Sequence, residues 1–160
     1  MYLAKQKYSF HDEWHIEAPL SMTWDLVSNS ADWQEWWPGL KSAVITNYSE
    51  NIVGSSVQLA WRSKTGYRLK HVVVITDIEP GRIISFKSSG DLFGQGTWKF
   101  EEYNGTTHMA IDWHVQTTKA WMNILSPVLR PIFVSNHDKL MRRGEAGLNK
   151  HLQIVRTLAS

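Results

Sequence analysis

Apolar residues recur along this chain with two periods, one suited to strands and one to a helix. Through Tyr8–Ala18 the period is two: Tyr8, Phe10, Trp14 and Ile16 share one side, while His11, Glu13, His15 and Glu17 share the other. Such alternation predicts a half-buried β-strand. Pro19 ends it, and Ser21 is placed to cap a short helix running through Val27. A second short helix is predicted from about Ala31 to Trp37, stopped by Pro38-Gly39, with Trp33, Trp36 and Trp37 on one face.

From Lys41 the period of two returns in a meander whose turns set the register. Asn104-Gly105 is a strong two-residue type I′ signal. It sets Tyr103 opposite Thr106, Phe100 opposite Met109, Trp98 opposite Ile111 and Gly96 opposite Trp113, whose ring would lie across the bare glycine backbone. A three-residue loop Lys64-Thr65-Gly66, with glycine in the left-handed position, sets Trp61 opposite Leu69, Leu59 opposite His71 and Val57 opposite Val73. Pro80-Gly81 taken as a two-residue turn sets Ile75 opposite Phe86. One face is apolar along every hairpin; the other carries Arg62, Arg68, Lys70, Lys87, Lys99, Glu101, Asp112 and His114.

After Lys119 the period becomes helical. Leu125, Leu129, Phe133, Leu140, Gly144, Leu148, Leu152 and Val155 follow one helix face. Ser126 reads as an N-cap with Pro127 at the first helical position, leaving Ala120–Leu125 as a separate short turn. Pro131 removes one backbone bond in the second turn, where a bend is expected. Roughly 30 residues at ~1.5 Å each make a rod of about 45 Å, enough to cross a small domain.

The predicted fold is therefore α+β: a curled antiparallel sheet of about six or seven strands wrapped round a long C-terminal helix, with two short helices after the first strand. It forms one domain over 1–160. A one-sided apolar sheet must be covered, and the terminal helix is the element long enough to do it. A twisted sheet curled round a straight rod touches it at one end and gapes at the other. The gap is the expected ligand site.

Composition narrows the function. The absence of cysteine excludes disulfides and thiolate metal sites. Net charge is only +2, with basic residues scattered, so nucleic acid is not the expected partner. No apolar run approaches the ~18 residues of a membrane span, and the first twenty residues are too polar for a signal peptide; a cytoplasmic location is expected. Nine tryptophans stand out, since this side chain often lines cavities and interfaces.

Several short stretches carry the remaining signal. Ile16-Glu17-Ala18-Pro19, Trp24-Asp25-Leu26-Val27, Trp33, and Trp36-Trp37-Pro38-Gly39 resemble the first strand and helix pair of the START/polyketide cyclase superfamily (SRPBCC), the helix-grip proteins. Val53-Gly54-Ser55, Asp77-Ile78-Glu79-Pro80-Gly81-Arg82 and Met141-Arg142-Arg143-Gly144-Glu145-Ala146-Gly147-Leu148 fall in that superfamily's usual places. The likeness covers nearly the whole chain and is greatest to the polyketide cyclase/dehydrase-like branch. It implies the helix-grip fold and a lipid- or polyketide-like ligand. The superfamily spans lipid-transfer proteins, hormone receptors, cyclases, aromatase subunits, quinone-binding proteins and chaperone activators, and no family catalytic set maps onto these residues.

Candidate chemistry is sparse. The register puts His71 on the apolar face, as a general acid/base, an orienting donor or a backbone-satisfied core residue. Asn136 and His137 interrupt the helix stripe, which fits a wet pocket or rim, or a rotation of the helix after Pro131. Gly144 and Gly147 each cost about 1 kcal/mol against alanine in a helix; close packing is the favoured return, as packing is for the tryptophan helix. His11 and His15 lie about 13 Å apart on a strand rising ~3.3 Å per residue, too far to share a metal. Gly94-Gln95-Gly96 lacks the third glycine and following helix of a dinucleotide site, and no Gly-x-Ser-x-Gly elbow is present. No cofactor or metal is expected.

Three functions remain in play. The first is a binder of one small apolar or aromatic molecule, walled by Trp61, Leu69, His71, Phe86, Trp98, Trp113, Leu125, Leu129, Phe133, Asn136 and His137. The second is a cyclase/dehydrase-like enzyme in which His71 or His137 moves a proton. The third is a protein-partner module using the tryptophan helix or the basic outer face. Monomer and homodimer are both compatible.

Overall fold

A computed structural model describes residues 6–160; residues 1–5 of the expected domain lie outside the described residues. Seven antiparallel strands form one sheet: β1 (Lys7–Ile16), β2 (Leu40–Asn47), β3 (Ser56–Arg62), β4 (Arg68–Glu79), β5 (Ile83–Gly90), β6 (Leu92–Tyr103) and β7 (Thr106–Thr117). Their order is β1-β7-β6-β5-β4-β3-β2, a meander closed at one side by the first strand. Between β1 and β2 come α1 (Leu20–Ser28), a 3₁₀ turn (Ser30–Asp32) and α2 (Trp33–Trp36). After β7 come α3 (Ala120–Ile124) and α4 (Ser126–Leu158), which continues through Pro131. The architecture is the helix-grip α+β fold that the pattern predicts.

Turn chemistry sets most of the register. Asn104 and Gly105 adopt φ of 51° and 78°, the left-handed pair a type I′ turn requires. Trp98 then pairs with Ile111, and Gly96 with Trp113. The ring over Gly96, however, is not that of Trp113. A Cβ at Gly96 would lie 2.6 Å from the Phe86 ring, because Phe86 is its partner on β5. Gly66 is left-handed at φ 99°, and Trp61 faces Leu69 as expected.

The β4–β5 turn is longer than the expected two residues. Glu79 pairs with Ile83, leaving Pro80, Gly81 and Arg82 in the turn. A register shift between Ile75 and Asp77 then returns Ile75 to Phe86. The extra turn residue is offset by a bulge at Thr76, so inward and outward faces are kept.

The helix caps also fall before their expected positions, by two residues for α1 and one for α4. Pro19 and Leu125, rather than Ser21 and Ser126, precede α1 and α4, and neither provides a side-chain cap. Pro127 still occupies the first turn of α4, where its missing N–H costs nothing.

What clamps α4 to the sheet is close approach at two glycines. A Cβ on Gly144 would lie 2.7 Å from the Trp14 and Trp37 rings, and one on Gly147 only 1.9 Å from the Trp36 carbonyl. Their helix-propensity cost is thus offset by tight packing. The Trp37 indole N–H donates to the Leu140 carbonyl at 3.0 Å, tying α2 to α4. Trp14, Leu148 and Leu152 are at most 2% exposed beneath this clamp.

The buried side of α4 runs Phe133, His137, Met141, Gly144, Leu148, Leu152. Leu140 is only half-buried, and Val155 is 38% exposed. The stripe therefore passes through His137 and Met141 rather than around them.

Candidate functional site

Beside the glycine clamp, with Trp37 shared between the two, the concave face and the helices enclose a cavity of about 200 Å³. Its floor is the apolar face of β3–β7, including Leu59, Val73, Ile84, Phe86, Trp98 and Ile111. Trp33 and Trp37 close one side; Leu140 and Met141 of α4 close another. Trp33 stacks on Trp98 with ring centroids 5.2 Å apart and planes within 4°. Trp37 meets Trp61 edge-on at 5.1 Å. Trp36 and Trp37 are buried, so the tryptophan helix supplies core and cavity wall rather than an exposed patch.

His71 sits in this wall, 2% exposed. The Trp61 indole N–H donates to its Nε2 at 2.9 Å. That contact leaves the ring proton on Nδ1, which donates to Ser88 Oγ at 2.7 Å, and the Ser88 hydroxyl donates in turn to the Leu92 carbonyl at 2.7 Å. Every donor in the chain has one acceptor, so the neutral imidazole is held in one tautomer. Burial pushes the pKa of His71 down to about 4, against a smaller upward pull from Asp91. To accept a proton at Nε2, the ring must first lose Trp61.

A smaller cavity, about 70 Å³, lies on the other side of Trp61, Trp113 and Leu140, which line both. Phe10, Leu69, Leu92, Val115 and Phe133 form its apolar part. His137 lies here, 7% exposed and stacked on Phe10 at 3.6 Å. Its Nε2 meets Asp12 Oδ2 at 2.9 Å, and its Nδ1 has no hydrogen-bond partner among the described residues. Asn136 Nδ2 donates to Thr65 Oγ1 and to the Tyr67 hydroxyl, both at 3.1 Å, joining α4 to the β3–β4 turn. Burial pushes the Tyr67 pKa up, with the Asn136 bond opposing, so the phenol stays protonated. The Trp113 Nε1 is buried with no partner, at the wall between the two cavities.

The expected wall is thus divided. Trp61, His71, Phe86, Trp98 and Trp113 line the larger cavity; Leu69, Phe133, Asn136 and His137 line the smaller. Leu125 and Leu129 line neither. Leu125 is 50% exposed at the start of α4 and Val128, one turn on, 70%, because the helix meets the concave face only from Phe133 onward. Asn136 and His137 both point inward or to the rim, and neither is rotated into solvent.

Asp12 was missed, though its position was readable: it shares the even-numbered face of β1 with Phe10 and Trp14. The β2–β3 loop was missed as well. Tyr48, Ser49 and Ile52 border the larger cavity, and loop residues carry no periodicity to place them. On the outer face, His11 meets Asp112 at 2.6 Å, and this hydrogen bond raises the pKa of His11. Among the described residues no three histidine, aspartate or glutamate side chains gather as a metal site would need, and no helix is long and apolar enough to cross a membrane.

A curled seven-stranded sheet gripping one long helix around an aromatic cavity defines a helix-grip protein. The chain belongs to the family described as polyketide cyclase/dehydrase and lipid transport, which it matches over residues 7–153. Among solved structures it is similar to the ZhuI aromatase/cyclase of Streptomyces sp. R1128, with a TM-score of 0.77 at 12% identity over 92% of this chain and 94% of that one. A START superfamily protein from Mycobacterium smegmatis gives a TM-score of 0.74 at 13% identity, over 92% and 98% of the two chains. The di-domain aromatase/cyclase BexL of the BE-7585A biosynthetic pathway gives 0.69 at 22% identity, over 91% of this chain and 50% of its own. At these identities the likeness establishes the fold. Among curated proteins none matches.

Proposed function

We propose that this protein binds one small, largely apolar or aromatic molecule, lipid- or polyketide-like, between its sheet and α4. The observation that carries the reading is the larger cavity. Its ~200 Å³ exceeds the ~150 Å³ of an apolar protein cavity known to hold benzene, and its wall is mainly aromatic and aliphatic, with one fully hydrogen-bonded imidazole and the small polar residues of the α1–α2 and β2–β3 connections, such as Ser30 and Ser49. Such walls, with few polar groups, are typical of ligand sites. The family supports the same class of ligand.

Native mass spectrometry of the purified protein, followed by denaturing extraction, tests this. The expected result is one apolar molecule per chain, whose re-addition to stripped protein quenches tryptophan fluorescence. Protein that carries nothing, and whose fluorescence is unmoved by naphthalene-sized aromatics, would refute it.

A second reading, turnover of the cyclase/dehydrase kind, is favoured by one further observation. Asp12 orients His137 through Nε2, Nδ1 has no partner among the described residues, and the ring lines the smaller cavity, an arrangement open to a general base. His71 lacks that freedom, since Trp61 occupies its lone pair. Under this reading His137→Gln lowers turnover of a bound substrate by roughly 10²–10⁴ while leaving binding in place.

A further inference from the structure

The smaller cavity has a chemical bias that an apolar ligand does not explain. Arg62 and Lys64 approach its mouth from the β3–β4 side, Lys139 and Arg143 from α4. None of these four cations has an acidic partner among the described residues, and no aspartate or glutamate lines the cavity. Lys139 and Arg143 are spaced i, i+4 on one helix face, where like charges destabilise the helix. The wall adds neutral donors. Among the described residues the Tyr67 hydroxyl accepts from Asn136 and has no acceptor of its own; the Trp113 indole N–H also lacks one but is enclosed in the wall. Positive charge and the unmatched Tyr67 hydroxyl therefore meet at one opening, which leads inward to Phe10, Leu69 and Phe133.

We infer that this opening is a carboxylate subsite: the ligand is an amphipathic organic acid whose head group lies among Arg62, Lys64, Lys139 and Arg143. This rests on the apolar-ligand reading, because the acid's body would continue past Trp61 and Trp113 into the larger cavity. A carboxylate supplies what the opening lacks. It accepts from Tyr67, and it relieves repulsion among cations gathered on two facing elements. The Asn136 bonds to Thr65 and Tyr67 hold those elements together, so the charge is assembled before a ligand arrives.

The test compares two probes of one shape, 2-naphthoate and 2-naphthamide, by calorimetric titration of the full chain at low ionic strength. Naphthoate is expected to bind about tenfold more tightly or better, as a charge-assisted hydrogen bond provides. Half-molar salt should erase most of that preference. The double variant Lys139→Gln/Arg143→Gln should also lose it while keeping its affinity for naphthamide, which serves as the check that the variant is folded. Equal binding of the two probes by the unaltered protein would overturn the carboxylate subsite and leave the apolar-ligand reading standing. A preference that survives the double variant would likewise overturn it. Failure of both probes to bind would overturn the subsite together with the reading beneath it.

Discussion

Replacing His71 by leucine should change how this protein responds to acid, and the size of the change follows from the hydrogen-bond chain. At neutral pH His71→Leu removes the acceptor for the Trp61 indole N–H and leaves that donor orphaned at the cavity wall. Such an orphan costs about 1–3 kcal/mol, with the apolar leucine recovering part of it. In acid the comparison reverses. The folded-state pKa of His71 is about 4 against 6.5 unexposed to the fold, so the unfolded chain binds the proton first. Stability owed to the neutral ring is therefore fully present above pH 6.5 and is lost as pH falls through 4. That loss is about 2 kcal/mol at pH 5 and about 3 kcal/mol below pH 4.

The leucine variant has no such loss. Urea unfolding of both proteins at pH 7, 6 and 5 should show the wild-type advantage shrinking steadily and vanishing near pH 5. The surface pair His11–Asp112 acts with the opposite sign, since a raised histidine pKa stabilises the fold below 6.5 and that support fades as pH rises. It is common to both proteins and cancels in the difference. A gap between the two proteins that stays constant from pH 7 to 5 would refute the account of His71 as a neutral, Trp61-bonded ring.

Other expectations follow from single contacts. Gly147→Ala should destabilise by about 1–3 kcal/mol despite alanine's better helix propensity, because its Cβ would meet the Trp36 carbonyl; a thermal midpoint at or above wild type would contradict the clamp. Asp12→Asn should cost about 1–3 kcal/mol through the bond to His137, read as a coupling in a double-mutant cycle with His137→Asn. A coupling near zero would assign the ring's position to its stack on Phe10 instead. Chelation by EDTA should leave ligand binding unchanged, measured on protein purified without a tag; loss of binding restored by one metal would overturn that expectation.

Legibility differed between fold and site for a physical reason. Alternation, turn residues and helix period are local, and each carries a geometric rule that acts within a few residues. Asn104-Gly105 alone was enough to place Trp98 opposite Ile111 across the β6–β7 hairpin. Even where a turn was misjudged, at Pro80-Gly81-Arg82, the bulge at Thr76 brought Ile75 back to Phe86. A strand with one buried face does not tolerate a one-residue slip, which would turn its whole apolar set to solvent.

Distances across the fold obey no such rule. Period alone made Leu125 and Leu129 as good candidates for the wall as Phe133. Where α4 meets the concave face decided otherwise, and that crossing is set by Gly144 and Gly147 far along the helix. The division of one expected cavity into two depends on how Trp61, Trp113 and Leu140 pack together from three separate elements. The partners Trp61 for His71, and Asp12 for His137, join positions 10 and 125 residues apart. The sequence by itself determined which faces are buried and which strands pair across the recognisable turns, while the pairing of β1 with β7 came from the tertiary structure. Only the tertiary structure decided which buried polar groups are satisfied and which are left facing a cavity, because satisfaction depends on a partner's position in space rather than on any neighbour in the chain.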